Sequence, residues 1–160
     1  MTIADLAQIV TFRLGDDLFA ADIYAVERVL RHQTPTSIPN VPAWIQGVIE
    51  YQSRVVPVID LRARFELAVT PPTSATRILI FNANGEWIAA VVDAVVEVSV
   101  LDPAKLAPPP PLFQGLAGEY LRGIVRRNDS LIVYLDVTRL LSTNERLVFE
   151  HAAQQATRHG

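Results

Sequence analysis

Short runs of alternating hydrophobic and polar positions, broken by turn residues, fill most of this chain. Gln8 to Leu14 sets Val10, Phe12 and Leu14 on one face of a strand. Gly15-Asp16-Asp17 predicts a hairpin turn, and Leu18 to Ala21 a returning strand. Ile23 to Leu30 has apolar residues at 23, 26, 29 and 30, a helix-like spacing, while its β-branched content allows a short helical turn feeding a strand. Thr34 to Pro42 holds three prolines and reads as irregular, with one turn over Pro42-Ala43-Trp44-Ile45. Gly47 to Glu50 and Arg54 to Ile59 predict a second hairpin, with Tyr51-Gln52-Ser53 at its tip and a turn or short helix over Asp60 to Phe65. Past the Pro- and Thr-rich Val69 to Thr76, further strands are predicted over Arg77 to Phe81, Glu86 to Val92, Val95 to Leu101, Tyr120 to Val125 and Ser130 to Leu135. Pro108 to Pro111 predicts a rigid extended linker. Ser142 or Thr143 caps a predicted C-terminal helix running to about Ala156.

The pattern occurs twice. Gly47-Val48-Ile49 is followed thirteen positions after the glycine by Asp60, and Gly123-Ile124-Val125 is followed at the same spacing by Asp136. Phe12, Leu18 to Ala21, Ala25-Val26 and Val29 fall on Phe81, Trp87 to Ala90, Ala94-Val95 and Val98. The internal loop of the second copy is seven residues longer. A repeated unit of this size predicts a small β module used twice, with copies over about 8–68 and 77–142, a linker at 69–76 and a tail over 143–160. One such module buries limited surface by itself, so the two are expected to pack as one body with a groove between the halves.

Composition narrows the function classes. Of 160 residues, 50% are hydrophobic and 19% charged, which suits a globular core. The net charge of −3 argues against a general nucleic-acid binder. With no cysteine there is no disulfide, thiolate zinc site or cysteine nucleophile. No run approaches the roughly 20 apolar residues that span a bilayer, and a cytoplasmic protein without membrane insertion is expected.

Residues of chemical interest are few. Asp60, Asp93 and Asp136 recur at matching turns; the strand-ending Asp60 and Asp136 suit carboxylates that cap a following turn better than a converging acid–base pair. His32, His151 and His159 lack zinc-site spacing. Ser53 and Ser130 have no nucleophile elbow, and neither P-loop nor dinucleotide fingerprint occurs. Arg126-Arg127 with Tyr120 and Tyr134 could form an oligonucleotide surface, but a solvated turn is favoured in an acidic chain. Trp44 and Trp87 read as core anchors. No catalytic residue, metal site or cofactor is expected.

Ile38-Pro39-Asn40-Val41-Pro42-Ala43-Trp44-Ile45-Gln46-Gly47-Val48-Ile49, continuing through Val55 to Arg62, resembles the CheW-like domain of bacterial chemosensory arrays. Val91-Val92-Asp93-Ala94-Val95 and Tyr120 to Ile124 through Asp136 extend the resemblance over about residues 8–142. It implies a mainly β fold of two five-stranded, SH3-like barrels side by side. It also implies a non-enzymatic adaptor joining the cytoplasmic tips of methyl-accepting receptors to the regulatory domain of a CheA-type histidine kinase. On that footing Gln52, Ser53, Arg54 and Arg28 are kinase-contact candidates, and Val26, Val29, Val91 and Val95 are receptor-groove candidates. The chain departs from the family at the tip, where Asn-Leu-Arg-Gly is usual and Glu50-Tyr51-Gln52-Ser53 stands, and at Arg28, where glutamate is frequent. Arg54 could supply the missing positive charge. An auxiliary protein that binds receptors without coupling the kinase is the second reading.

Overall fold

The computed structural model describes residues 6–108 and 120–140, so the predicted C-terminal helix and most of the Pro108 to Pro111 linker lie outside the described residues. The described residues form ten strands: β1 (Ala7–Leu14), β2 (Asp17–Asp22), β3 (Val26–Arg31), β4 (Ile45–Tyr51), β5 (Arg54–Asp60), β6 (Arg77–Ala83), β7 (Glu86–Val92), β8 (Ala94–Leu101), β9 (Leu121–Arg127) and β10 (Ser130–Leu135). One four-residue helix, α1 (Leu61–Arg64), follows β5. The ambiguous segment from Ile23 resolves as a 3₁₀ turn, Ile23–Ala25, feeding β3; Asp22 caps it by accepting from the Tyr24 N–H. Three β-branched residues within Ile23 to Leu30, with only one turn of helical chain, favour that outcome.

The strands make two five-stranded sheets, ordered β8-β1-β2-β10-β9 and β3-β6-β7-β5-β4. Neighbours are antiparallel except β2 with β10 and β5 with β7, which run parallel. The sheets cut across the sequence repeat. Each takes a hairpin from one copy (β1-β2 or β6-β7) and three strands from the other, so the linker at 69–76 divides the repeat while both sheets draw on both sides of it. The hydrogen-bond ladders end at β8 and β9 in the first sheet and at β3 and β4 in the second, and backbone pairing alone closes neither into a barrel.

Side-chain alternation explains the layering. Along β6, Ile78 and Ile80 face the interior of their own sheet, while Leu79, Phe81 and Ala83 face the other sheet. β7 alternates likewise, with Ala89 and Val91 inward and Ile88, Ala90 and Val92 toward the junction. In the first sheet Ile132 and Tyr134 of β10 point inward, and Val133 and Leu135 point to the junction. The strands are therefore apolar on both faces, and three cores result: one inside each curled sheet and a larger one between them. Phe12, Phe19 and Phe81 meet in that central core, with ring centroids 6.3 and 6.4 Å apart. Burying a side chain of this size contributes about 1.5–3 kcal/mol.

The glycine that opens each Gly-to-Asp segment has a steric reason. Thr36 and Val48 exchange backbone hydrogen bonds of 2.8 and 2.9 Å, drawing the incoming loop against β4. A Cβ on Gly47 would sit 2.0 Å from the Thr36 carbonyl oxygen, and one on Gly123 would sit 2.8 Å from that of Ala107. The segments before β4 and β9 then converge on α1. The Arg64 guanidinium lies 4.2 Å from the ring centroid of Trp44 and 5.0 Å from that of Tyr120, and donates to the Tyr120 hydroxyl. Trp44 and Tyr120 occupy the same place in the two copies; their carbonyls accept from the N–H of Asp60 and Asp136. One cation thus fastens both copies at their shared boundary.

Gly47→Ala is expected to cost about 3 kcal/mol or more in chemical denaturation, and Gly123→Ala about 1–2 kcal/mol, because the backbone at 47 must move further to admit a methyl group. Equal costs would show that close approach is not what selects glycine there.

Candidate protein-interaction surfaces

The charged groups sort into a buried set and an exposed set. Arg62, on α1, has 4% of its side chain exposed, and Asp60 has 3%. Arg62 Nε donates to Asp60 Oδ1 at 3.0 Å and Nη2 to Asp60 Oδ2 at 3.1 Å. Its Nη1 donates to Asp93 Oδ1 at 2.7 Å and to the Thr70 carbonyl at 3.1 Å. Asp93 Oδ2 accepts from the Gly15 N–H, and Asp60 Oδ2 from the Gln46 amide. Burial alone would lower the Arg62 pKa; the hydrogen bond and charge of Asp60, then of Asp93, outweigh it and leave the group raised. Asp60 also caps α1, accepting from the N–H groups of Arg62 and Ala63. These carboxylates are committed to holding the fold.

Asp136 caps the Val137–Arg139 turn through the Thr138 N–H and also accepts from the Thr138 hydroxyl at 2.6 Å. Arg122 and Arg139 lie 3.7 Å away. Burial pushes this carboxyl up, but the Thr138 bonds and the Arg122 charge bring it below the ordinary aspartate value. Burial, helped by Asp22, raises the Tyr134 hydroxyl against the pull of Arg122.

The exposed set lies at the tip of the β4–β5 hairpin. Gln52 and Ser53 are exposed and both have positive φ, 48° and 62°. The turn thus places two side-chain-bearing residues in the left-handed region, where Asn and Gly sit more easily. The Gln52 amide donates to its neighbour's Tyr51 hydroxyl at 3.2 Å. Arg54 stacks 3.9 Å over the Trp87 ring, and Tyr51 packs 5.3 Å from that ring. The tip presents a guanidinium held by an aromatic pair, with exposed Val55 beside it. Arg28 is exposed in the middle of β3, opposite Ile80, and no hydrogen bond or ion pair among the described residues joins it to the tip.

The valine candidates separate. Val26 and Val95, at equivalent starts of the end strands β3 and β8, both pack half-buried on the central core. Val29 is 44% exposed, whereas Val91 is 1% exposed inside the second sheet and offers no side-chain surface. Sequence reasoning missed Val96, Val98 and Val100, which project from β8 at 44%, 58% and 47% exposure. Their alternation was legible, but not the fact that β8 ends a sheet. Tyr120 and Tyr134 are buried at 4% each, so their rings are not free for base stacking. Trp44 and Trp87 are half-buried, each covered by an arginine. His32 is half-buried, Ser130 is exposed, and His151 and His159 lie outside the described residues. Among the described residues no group of three potential metal ligands converges, and no helix is long and apolar enough to cross a membrane.

Two five-stranded sheets over a shared core, with an exposed hairpin tip and an end strand, β8, that exposes three valines, define a mainly β scaffold. Residues 8–145 match the model of the CheW-like domain. The chain is 30% identical over 142 residues to a chemotaxis protein CheW of Treponema pallidum, covering 86% of this chain and 84% of that one. It is 33% identical over 138 residues to protein FrzA of Myxococcus xanthus, covering 82% and 83%. The crystal structure of scaffolding protein TtCheW from Thermoanaerobacter tengcongensis superposes with a TM-score of 0.79 at 32% identity, covering 87% of this chain and 90% of that one. The chain belongs to the CheW-like domain family, a scaffold family of chemotaxis signalling.

Replacing the tip by Gln52→Asn with Ser53→Gly is expected to raise stability by about 1 kcal/mol, read as a Tm about 2–4 °C higher. An unchanged or lower Tm would show that the turn is unstrained. Asp136 has a folded-state pKa below its unfolded value, so it contributes stability above the unfolded pKa of about 3.9 and loses it as pH falls through the folded value. Asp136→Asn should therefore lower Tm most near pH 7, with the gap to wild type closing below about pH 4. A gap that is constant with pH would rule out the charge as its source.

Proposed function

We propose that this protein is a non-enzymatic adaptor that couples methyl-accepting chemoreceptors to a CheA-type histidine kinase in a cytoplasmic array. The observation that carries this reading is the family match over residues 8–145, which takes in the hairpin tip and the end strands β3 and β8. Each sheet is read as an SH3-like barrel whose seam is closed by side chains rather than by backbone pairing.

Roles follow from position. Gln52, Ser53 and Arg54 meet the regulatory domain of the kinase, with Arg28 at the margin of that contact. Val26, Val29 and Val95, joined by Val96 and Val98, meet the receptor tip; Val91, sealed inside the second sheet, offers no surface to it. A helical receptor tip offers an apolar stripe that suits a groove floored by half-buried valines. Each contact alone is small, and simultaneous engagement of both partners makes the assembly stable through effective concentration. Signal passes as a population shift between contact geometries, which a rigid central core transmits. A second reading, an auxiliary adaptor that binds receptors alone, draws on the engagement of the Gln52 amide by its own neighbour Tyr51.

The test is a pull-down of the purified protein against the kinase regulatory domain and receptor cytoplasmic tips from one organism. Both should bind. Arg54→Glu should weaken kinase capture about ten-fold or more with the circular dichroism spectrum unchanged, and Val98→Asp should do the same for receptor capture. Receptor capture without kinase capture by the wild-type protein would replace the coupling reading with the auxiliary one.

A further inference from the structure

The two sheets are built alike but their seams are closed differently. In the second sheet, Tyr51 at the end of β4 and Leu30 of β3 both pack on the same interior cluster. The counterpart of Tyr51 in the second copy is Arg127, the last residue of β9. Its Nη1 donates to the Ser99 hydroxyl at 2.6 Å and its Nη2 to the Val100 carbonyl, both on β8. β9 and β8 are the two ends of the first sheet. One guanidinium therefore bridges a gap that no backbone ladder crosses.

The strand it holds needs holding. β8 pairs with β1 on one side only, and a register shift interrupts that ladder between Thr11 and Phe12. Its outward face carries Val96, Val98 and Val100, a β-branched stripe at every second position. An end strand with an exposed apolar face frays or pairs with foreign strands unless something fixes its free edge. Arg127 reaches the Val100 carbonyl from β9, the opposite end of the same sheet, so the clasp ties β8 to a strand other than β1.

We propose that Arg127 is a positioning residue that clasps β9 to β8 and keeps the Val96–Val98–Val100 edge ordered as a docking surface for the apolar stripe of a receptor helix. The identity of that partner rests on the reading given under the proposed function; the clasp itself does not. The planar guanidinium suits the task because it offers two donors in fixed relation to two acceptors on adjacent residues. A lysine ammonium reaches either acceptor but does not fix both. The hydrogen bonds of Arg127 fall on β8 and none on β3, the corresponding end strand of the second sheet, so β3 is an internal control for β8.

Arg127→Met keeps the apolar stem and removes the donors. Amide hydrogen exchange should become about ten-fold faster over 96–100 and stay unchanged over 26–31, the factor expected for one or two lost hydrogen bonds. Receptor-tip affinity, measured by titration, should fall about three- to ten-fold, with kinase-domain affinity unchanged. Arg127→Lys should recover only part of both effects, and Ser99→Ala should reproduce part of them. If exchange over 96–100 in Arg127→Met stays at the wild-type rate, the clasp is overturned, whatever Val98→Asp does to receptor binding. If exchange rises while receptor affinity is unchanged, the positioning role is overturned, and the assignment of β8 to the receptor falls with it.

Discussion

A buried guanidinium has to be paired, and the pairing of Arg62 decides how the chain is tied. Removing this cation from water costs several kcal/mol unless its donors are matched. Here they are matched by groups from distant parts of the sequence. Asp60 closes β5, Asp93 stands between β7 and β8, and Thr70 belongs to the segment between the repeat copies. Asp93 also accepts from Gly15 in the first hairpin turn. The cluster thus sets where the linker lies, where β8 begins and how the first hairpin meets the second sheet. Taking away one partner would leave a buried charge unmatched, which costs more than the pair contributes when intact.

The same position in the other copy is built differently, and the difference separates structure from surface. Asp136 corresponds to Asp60, but Thr138 stands where Arg62 does and Tyr24 where Asp93 does. Asp136 is consequently half-buried among the solvated Arg122 and Arg139, and Tyr24 is 85% exposed. The ends of β4 and β9 diverge as well: Tyr51 packs on an apolar cluster, whereas Arg127 donates to β8. A repeat gives two equivalent frames. Divergence at equivalent positions is what lets one body present two unlike faces, as a scaffold between two partners requires.

Much of the framework was legible from local pattern. The four hairpins and the capping roles of Asp60 and Asp136 follow from side-chain period and turn chemistry, which depend on neighbours a few positions away, whereas the period over Ile23 to Leu30 left helix and turn-plus-strand open. Gly47 and Gly123 were visible as a spacing. The carbonyls that make them necessary belong to loops eleven and sixteen residues earlier, and contacts of that kind leave no local trace. The candidate site was legible only in part. Gln52, Ser53 and Arg54 sit at a tip, as a turn between two strand patterns must, but Arg54 meets Trp87 through pairing across the sheet. Val91 and Val98 read alike in sequence. One is sealed inside the second sheet, and the other is on the free edge of the first.

The sequence by itself determined the number of strands in most hairpins, which residues alternate toward an interior, the two-fold repetition and the family. Tertiary structure alone decided that each sheet would join a hairpin of one copy to three strands of the other, and that β3, β4, β8 and β9 would be the ends. The physical reason is that strand periodicity records burial on a face and is blind to the identity of the neighbour. Two copies with the same pattern can pair within or across themselves under the same local signal. The choice falls to long-range terms: the central aromatic core, the Arg62 ion cluster, and Arg64 stacked between Trp44 and Tyr120.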